Sequence, residues 1–225
     1  MTNSFMRAAI ALLAIPAAVV GLSTRAGAGR GVALAAPAVD APLAPAAASD
    51  TAVFAGGCFW GIEAVYEHVA GVTSAESGYA GGSVASPSYE QVSSGSTGHA
   101  EAVRVVYDPS RISYGQLLHV FFAVAHDPTQ LNRQGPDVGT QYRSALFVRT
   151  PEQKRIAEAY VAQLRAAKTF GRPIVTEIVP LRAFYVAEPY HQDYLVNHPN
   201  QPYIVIHDKP KLAALKKHFA SLYRE

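Results

Sequence analysis

The chain has a single cysteine, Cys58, among its 225 residues. It can therefore form no internal disulfide, and a fold stapled by cross-links is excluded. Methionine is almost absent: Met1 and Met6 are the only two, so nothing beyond residue 6 carries a thioether. Charge is sparse and balanced, with 19 Lys plus Arg against 17 Asp plus Glu and a formal net charge of +2. No basic stripe runs long enough to argue for nucleic acid, and the partner expected is a small or peptidic one. Cysteine and histidine do not recur at metal-ligand spacing, so no metal is expected. Long apolar runs are missing too, save for Ala8 to Leu22, which is shorter than the ~20 residues a membrane-spanning helix needs.

That one run has a meaning of its own. Arg7 precedes it and Ala26-Gly27-Ala28 follows, the order of a secretory signal peptide with a positive end, an apolar middle and a small-residue exit. Residues 1–28 read as a leader that exports the chain, with the bacterial periplasm as the expected location. An uncleaved leader tethering the protein to a membrane is the alternative. No cysteine stands at the exit of the run, which excludes a lipid-anchored lipoprotein, and no stable membrane insertion is expected once the leader is gone. Residues 29–50 are rich in Ala and Pro without apolar periodicity and read as a flexible linker. The folded domain is then expected over residues 51–225. With 49% hydrophobic residues, 12 Tyr and 9 Phe it can build a substantial core.

Within it, "TAVFA" reads as a strand, Gly56-Gly57 breaks it, and Phe59, Ile62, Tyr66 and Val69 recur at helical spacing up to Gly71. "GVTSAESGYAGG" and "HAEAVRVVYD" predict two strands. Tyr114, Leu117, Leu118, Phe121 and Phe122 mark a second helix, and "QYRSALFV" predicts a further strand. The order βαββαβ is the split βαβ, ferredoxin-like arrangement of the α+β class. A C-terminal extension, helical and irregular, follows: Thr150 to Gln153 form a capping box with proline at the first helical position, and Leu212, Leu215, Phe219 and Leu222 face inward from a last helix.

Cys58 falls where the first strand turns into a helix, inside "GCFWG". Free backbone N–H groups and the helix dipole favour an anion there, so a lowered thiol pKa is expected, and the flanking glycines let another molecule approach. A buried inert cysteine is the alternative. Alternation along "EAVRVVY" puts Glu101 on the stripe of Val103, Val105 and Tyr107. Burial there would raise its pKa and make it a proton donor, whereas a strand-end glutamate reaching water would do nothing. The long polar loop from His126 to Ser144 carries Asp137, Gln141 and Tyr142 beside Gly139 and reads as functional.

Taken in order, "GGCFWG", "GYAGG", "PSYEQVSSGSTGHAEAVRVVYDP", "HDPTQLNRQGPDVGTQYRSA" and "YHQDYL" resemble the peptide methionine sulfoxide reductase family of the A class, over about Phe54 to Leu195. The resemblance implies that Cys58 attacks the sulfoxide sulfur, that Phe59 and Trp60 line the pocket for the substrate's methyl group, and that Glu101, Tyr89 and Tyr142 face the sulfoxide oxygen. Asp137 would order the polar side. Substrates would be oxidised proteins and free methionine sulfoxide, of the S epimer only, and no cofactor would be bound. Many relatives carry further cysteines that resolve the sulfenic acid, whereas this chain has Ser93, Ser94 and Tyr203 in the corresponding motifs. An external thiol is therefore expected: a thioredoxin-like protein, a glutaredoxin or a small thiol. The chain is expected to act as a monomer. His99 and His191 read as structural histidines. Two other functions stay open on the residues alone: a cysteine hydrolase pairing Cys58 with His99 or His191, and a non-catalytic methionine-binding redox sensor.

Overall fold

The computed structural model describes residues 31–225; the leader read over residues 1–28 lies outside them. The main elements are β1 (Asp50–Gly56), α1 (Phe59–Glu67), β2 (Val72–Ala80), α2 (Tyr89–Ser93), β3 (Ala100–Tyr107) and α3 (Tyr114–Val120), then β4 (Arg133–Gln134), β5 (Asp137–Val138) and β6 (Ser144–Val148). They are followed by α4 (Pro151–Ala166), β7 (Glu177–Pro180), β8 (Phe184–Val186), α5 (Tyr194–Asn197) and α6 (Lys209–His218).

The chain is of the α+β class, built on a six-stranded mixed sheet of order β7-β6-β1-β3-β2-β8. Neighbours run antiparallel except β6 and β7, which are parallel. Of the four central strands, β1 and β2 are joined through α1 and β3 and β6 through α3, as expected from the sequence, but the short α2 stands between β2 and β3 and the β4–β5 hairpin precedes β6. The C-terminal extension is not only helical and irregular: β7 and β8 come from it and lengthen the sheet at both edges. Four and three residues are too few for an alternation pattern to show in the sequence.

Alternation along β1 divides the interior. Ala52 and Phe54 point to the helical layer, where Phe54 stacks on Tyr66 at 5.3 Å and on Phe121 at 5.1 Å, beside Val103, Val105 and Tyr107. Val53 and Ala55 join Ala80, Ala100, Ala102, Ala145 and Phe147 on the other face, under Val179, Leu181 and Phe184. Caps fix the helix starts. Ser88 and Ser113 each form a full capping box, with Gln91 and Gln116. At α4, Thr150 accepts from the Gln153 N–H at 3.1 Å, but the Gln153 side chain turns to the Arg149 N–H at 3.0 Å, so only half of the expected box forms. The strand expected from "QYRSALFV" starts at Ser144, because Thr140–Tyr142 coil into a short 3-10 turn.

Residues 31–49, expected as a flexible linker, instead lie as a strap across the helices. The Val32 N–H donates to Ala123 O at 2.8 Å, Tyr160 Oη donates to Ala35 O at 3.0 Å, and the Gln163 amide donates to Ala36 O at 2.9 Å while accepting from the Ala38 N–H at 2.8 Å. Asp40 accepts from the Gly115 N–H at 2.9 Å and from Ser113 Oγ, and so caps α3 from outside. Composition misleads here because the order rests largely on the strap's own backbone N–H and C=O groups and one carboxylate, with Leu34 and Ala41 packed on the core, and none of these leaves an apolar period.

The C-terminal ends of β1 and β2 and the N-terminal ends of β3 and β6 meet at one end of the sheet, where Gly56 pairs with Ser144 and Ala80 with Ala100. The two long loops, 81–99 and 126–143, leave from that same end.

Candidate active site

Cys58 caps α1 at this end of the sheet. The turn that delivers it needs Gly57, whose φ of +99° disfavours any side chain and whose missing Cβ is occupied by Gln134, 2.5 Å from where that atom would stand. Cys58 is 8% exposed, and the first turn of α1 beside it sits over Glu101, whose Oε2 accepts from the Phe59 N–H at 3.1 Å. Burial and the nearby Asp137 push the Glu101 carboxyl up to about 8, against the pull of the Phe59 N–H. At neutral pH it is a carboxylic acid with a proton to give. Tyr79 stands directly opposite Glu101 in the β2–β3 register and donates to Glu188 at 2.8 Å.

The thiol corrects one expectation. Burial, then Glu101 and Asp208, push the Cys58 pKa well above its ordinary value, while the Trp60 backbone N–H and the Lys211 ammonium pull the other way. The helix start is real, but desolvation outweighs it, joined by Asp208 and, above about pH 8 where it ionises, by Glu101, so the resting thiol is protonated rather than pre-ionised.

The structure brings the other expected residues to the same place. Tyr142 and Tyr89 are both held above the ordinary phenol range, chiefly by burial and next by Glu101, with Cys58 also acting on each. Asp137, in the β4–β5 hairpin, accepts from the Tyr203 hydroxyl and is raised by burial. Trp60 forms one wall. It stacks on Tyr194 at 3.7 Å with 5° between the planes, meets Tyr203 edge-on at 6.0 Å, and donates from Nε1 to His191 Nδ1 at 3.1 Å. Phe59 lies deeper, 1% exposed, between Tyr79, Trp60 and His191.

The two histidines differ. His99 is satisfied on both sides, accepting at Nδ1 from the Gly82 N–H (3.0 Å) and donating from Nε2 to Val84 O (2.8 Å), as a structural histidine should. His191 is equally buried, but its Nε2 has no partner. With Nδ1 accepting from Trp60, the neutral ring carries its proton on that free nitrogen, and burial lowers its pKa so that it stays neutral. Its role as the clamp on Trp60 was not legible.

Sequence reasoning also missed the buried ion pair of Asp208 and Lys211, 3.1 Å apart and 0% and 5% exposed. It packs on Gly61 in the first turn of α1, where a Cβ would stand 2.1 Å from Asp208 Oδ1. Lys211 is one of four lysines between residues 209 and 217, and no local pattern separates it from its solvated neighbours. His191 and Tyr194 did carry a signal, since both fall inside "YHQDYL".

A lone buried thiol, a neutral carboxylic acid against the same helix turn, two phenols and an aromatic wall define a thiol-dependent enzyme of redox type, with the proton donor such chemistry needs. Residues 50–223 match the model of the family described as peptide methionine sulfoxide reductase. Among curated relatives, "Peptide methionine sulfoxide reductase MsrA 2" of Mesorhizobium japonicum is 56% identical over 83% of this chain and 95% of its own length. "Peptide methionine sulfoxide reductase MsrA" of Deinococcus radiodurans is 55% identical over 80% and 87%. Among solved structures, reduced Mxr1 from Saccharomyces cerevisiae superposes with a TM-score of 0.61 at 37% identity, covering 71% of this chain and 91% of that one. Methionine sulfoxide reductase A of Corynebacterium diphtheriae gives 0.59 at 41% identity, covering 68% and 76%. The chain belongs to the peptide methionine sulfoxide reductase family and is an oxidoreductase.

Proposed function

We propose that the chain reduces methionine-S-sulfoxide to methionine, in oxidised proteins and as the free amino acid, with Cys58 as the nucleophile and Glu101 as the acid. The observation that carries the reading is Glu101 itself, a buried acid hydrogen-bonded to the residue that follows the only thiol. The Cys58 sulfur bonds to the sulfoxide sulfur while the Glu101 proton passes to the sulfoxide oxygen, which could not depart as a naked anion. The thiol proton returns to the Glu101 carboxylate, and the hydroxyl then passes to Cys58: the S–O and S–S bonds to the substrate sulfur break, one electron pair forming the Cys58 S–O bond and the other staying on methionine, so that sulfoxide plus thiol becomes thioether plus sulfenic acid. Tyr89 and Tyr142 donate hydrogen bonds to that oxygen, Asp137 orders the polar side, and Phe59 and Trp60 receive the methyl group. With no second thiol in the chain, two equivalents of external thiol return Cys58, releasing water and then a disulfide. A thioredoxin-like protein, a glutaredoxin or a small thiol can serve. A hydrolase would need an imidazole on the sulfur, and among the described residues none hydrogen-bonds Cys58; His126, the third buried ring, is engaged with Phe121 O and Ser144 Oγ.

The test uses the purified chain, pre-reduced and freed of thiol, mixed with racemic methionine sulfoxide. One equivalent of methionine per chain, one epimer consumed and a single oxygen added at Cys58 are expected. No methionine and an unchanged mass, from a folded sample with a titratable thiol, would overturn the reading.

We infer further, from Arg7, the apolar run Ala8 to Leu22 and the small residues 26–28, that residues 1–28 direct export and are removed. The intact mass of the expressed protein should correspond to a start after residue 28. Retention of residues 1–28 in a membrane-bound chain would replace export by tethering.

A further inference from the structure

A carboxyl group with no place in the chemistry above lies on the same helix as the nucleophile. Glu63, five residues after Cys58, is 1% exposed. Its Oε1 accepts from the Ser77 N–H at 3.1 Å, and its Oε2 has no partner. The Ser77 backbone is a junction. Its N–H is shared with Gln192 Oε1 at 2.9 Å, while Gln192 Nε2 donates to Ser77 O at 3.0 Å and to Ala187 O at 3.0 Å. The Ala187 N–H returns to Ser77 O at 2.9 Å. One residue of β2 thus joins α1 to the segment 187–194, and that segment bears both groups that hold Trp60: His191 through its Nδ1 and Tyr194 through its stacked ring.

We propose that Glu63 is a positioning residue of this enzyme: through the Ser77 backbone, which it grips jointly with Gln192, it holds the segment carrying His191 and Tyr194 against Trp60 and so fixes the methyl-binding wall. The proposal rests on the sulfoxide-reductase reading for what that wall binds, and on the hydrogen bonds alone for what holds it.

The surroundings dictate the form in which Glu63 works. Glu67 on its own helix and Asp193 at the start of α5 face it; beyond Glu67, Arg224 donates from Nε to Glu67 O at 2.8 Å. The other charged groups packed around α1 are engaged elsewhere: Asp208 with Lys211 at Gly61, Glu101 at the Phe59 N–H, and Glu76 with Arg104 across β2 and β3. Burial first, then Glu67 and Asp193, push the Glu63 carboxyl up to about 8. Glu67 is itself raised to about 7, by burial and by Asp193. At neutral pH Glu63 is therefore a neutral acid whose carbonyl oxygen still accepts from Ser77. Losing its proton would put a buried charge beside two other carboxyls, with only the Ser77 N–H and hydroxyl to offset it. Asp193, at a left-handed φ of 51°, starts the turn that carries Tyr194, so repulsion there is transmitted to the ring on Trp60.

Trp60 is the only tryptophan in the chain, so its emission reports on this wall without needing turnover. Emission is followed from pH 6 to pH 10 in the full-length protein, its Glu101→Gln variant and the Glu63→Gln, Glu101→Gln double variant. A transition centred about pH 8 is expected in the wild type and in Glu101→Gln, where Glu101, itself raised to about 8, no longer contributes, and its loss when Glu63→Gln is added to Glu101→Gln, since the amide at position 63 accepts from Ser77 at every pH. In turnover at pH 7, Glu63→Gln should keep the wild-type KM, while Glu63→Ala, lacking the acceptor, should raise KM on the order of tenfold and leave kcat within about threefold. A Glu63→Gln, Glu101→Gln double variant whose Trp60 emission titrates like Glu101→Gln, or a Glu63→Gln protein whose KM rises as far as in Glu63→Ala, overturns the proposal. Should Glu63→Ala not fold, the titration of the double variant decides by itself. An inactive wild type with the expected Trp60 titration would refute the reductase reading while leaving the positioning intact.

Discussion

Replacing Cys58 with serine will abolish methionine formation, with turnover in the presence of excess thiol falling roughly a thousandfold or more. The chain holds no other sulfur nucleophile, and an alcohol is not ionised in a site that already opposes ionisation of a thiol. The protein should remain folded, and thermal unfolding should show Tm unchanged or raised: residue 58 is the N-cap of α1, makes no side-chain cap bond as cysteine, and serine is among the best caps. Activity surviving in a folded Cys58→Ser protein would remove the nucleophile from the mechanism altogether.

Glu101→Gln separates acid catalysis from thiol reactivity. An amide keeps the bond from the Phe59 N–H but has no proton to give, so kcat should fall by about 10²–10⁴-fold. The same change removes a carboxylate that raises the Cys58 pKa, so alkylation of the thiol by iodoacetamide at pH 8 to 9 should become faster than in the wild type. Slower turnover together with a more reactive thiol is the signature of a lost proton donor; a fall in both would mean the site has collapsed. The pH dependence has a definite sign. A carboxyl raised to about 8 is protonated below that value, so wild-type kcat should hold below about pH 8 and decline above it, and the decline should be missing in Glu101→Gln.

Much of this was legible beforehand because it is local. The strand, Gly56-Gly57, Cys58 and the apolar spacing of Phe59, Ile62 and Tyr66 lie within a dozen residues, and short-range sterics set the turn between them. Glu101 could be placed on the face of Val103, Val105 and Tyr107 because β3 is one unbroken strand, although its burial alternates only from Val103 onward, Ala100 and Ala102 being buried on the other face. What escaped depends on distance in the chain. The Cys58 thiol is opposed by Asp208, 150 positions later, and by a degree of burial that only tertiary packing sets. His191 looked like any buried histidine until Trp60 was found on one nitrogen and nothing on the other.

The strap has a consequence for the order in which the molecule assembles. Its residues leave the ribosome before any of their partners: Tyr160, which holds Ala35, lies 125 positions later in the chain, and Gln163, which holds Ala36, lies 127 positions later. Contacts so far apart carry the full cost of loop closure, and these offer only a few hydrogen bonds in return until α3 and α4 stand side by side. The first part of the described chain to be synthesised is therefore among the last to settle, and a nascent chain keeps this stretch free until its final helices have packed.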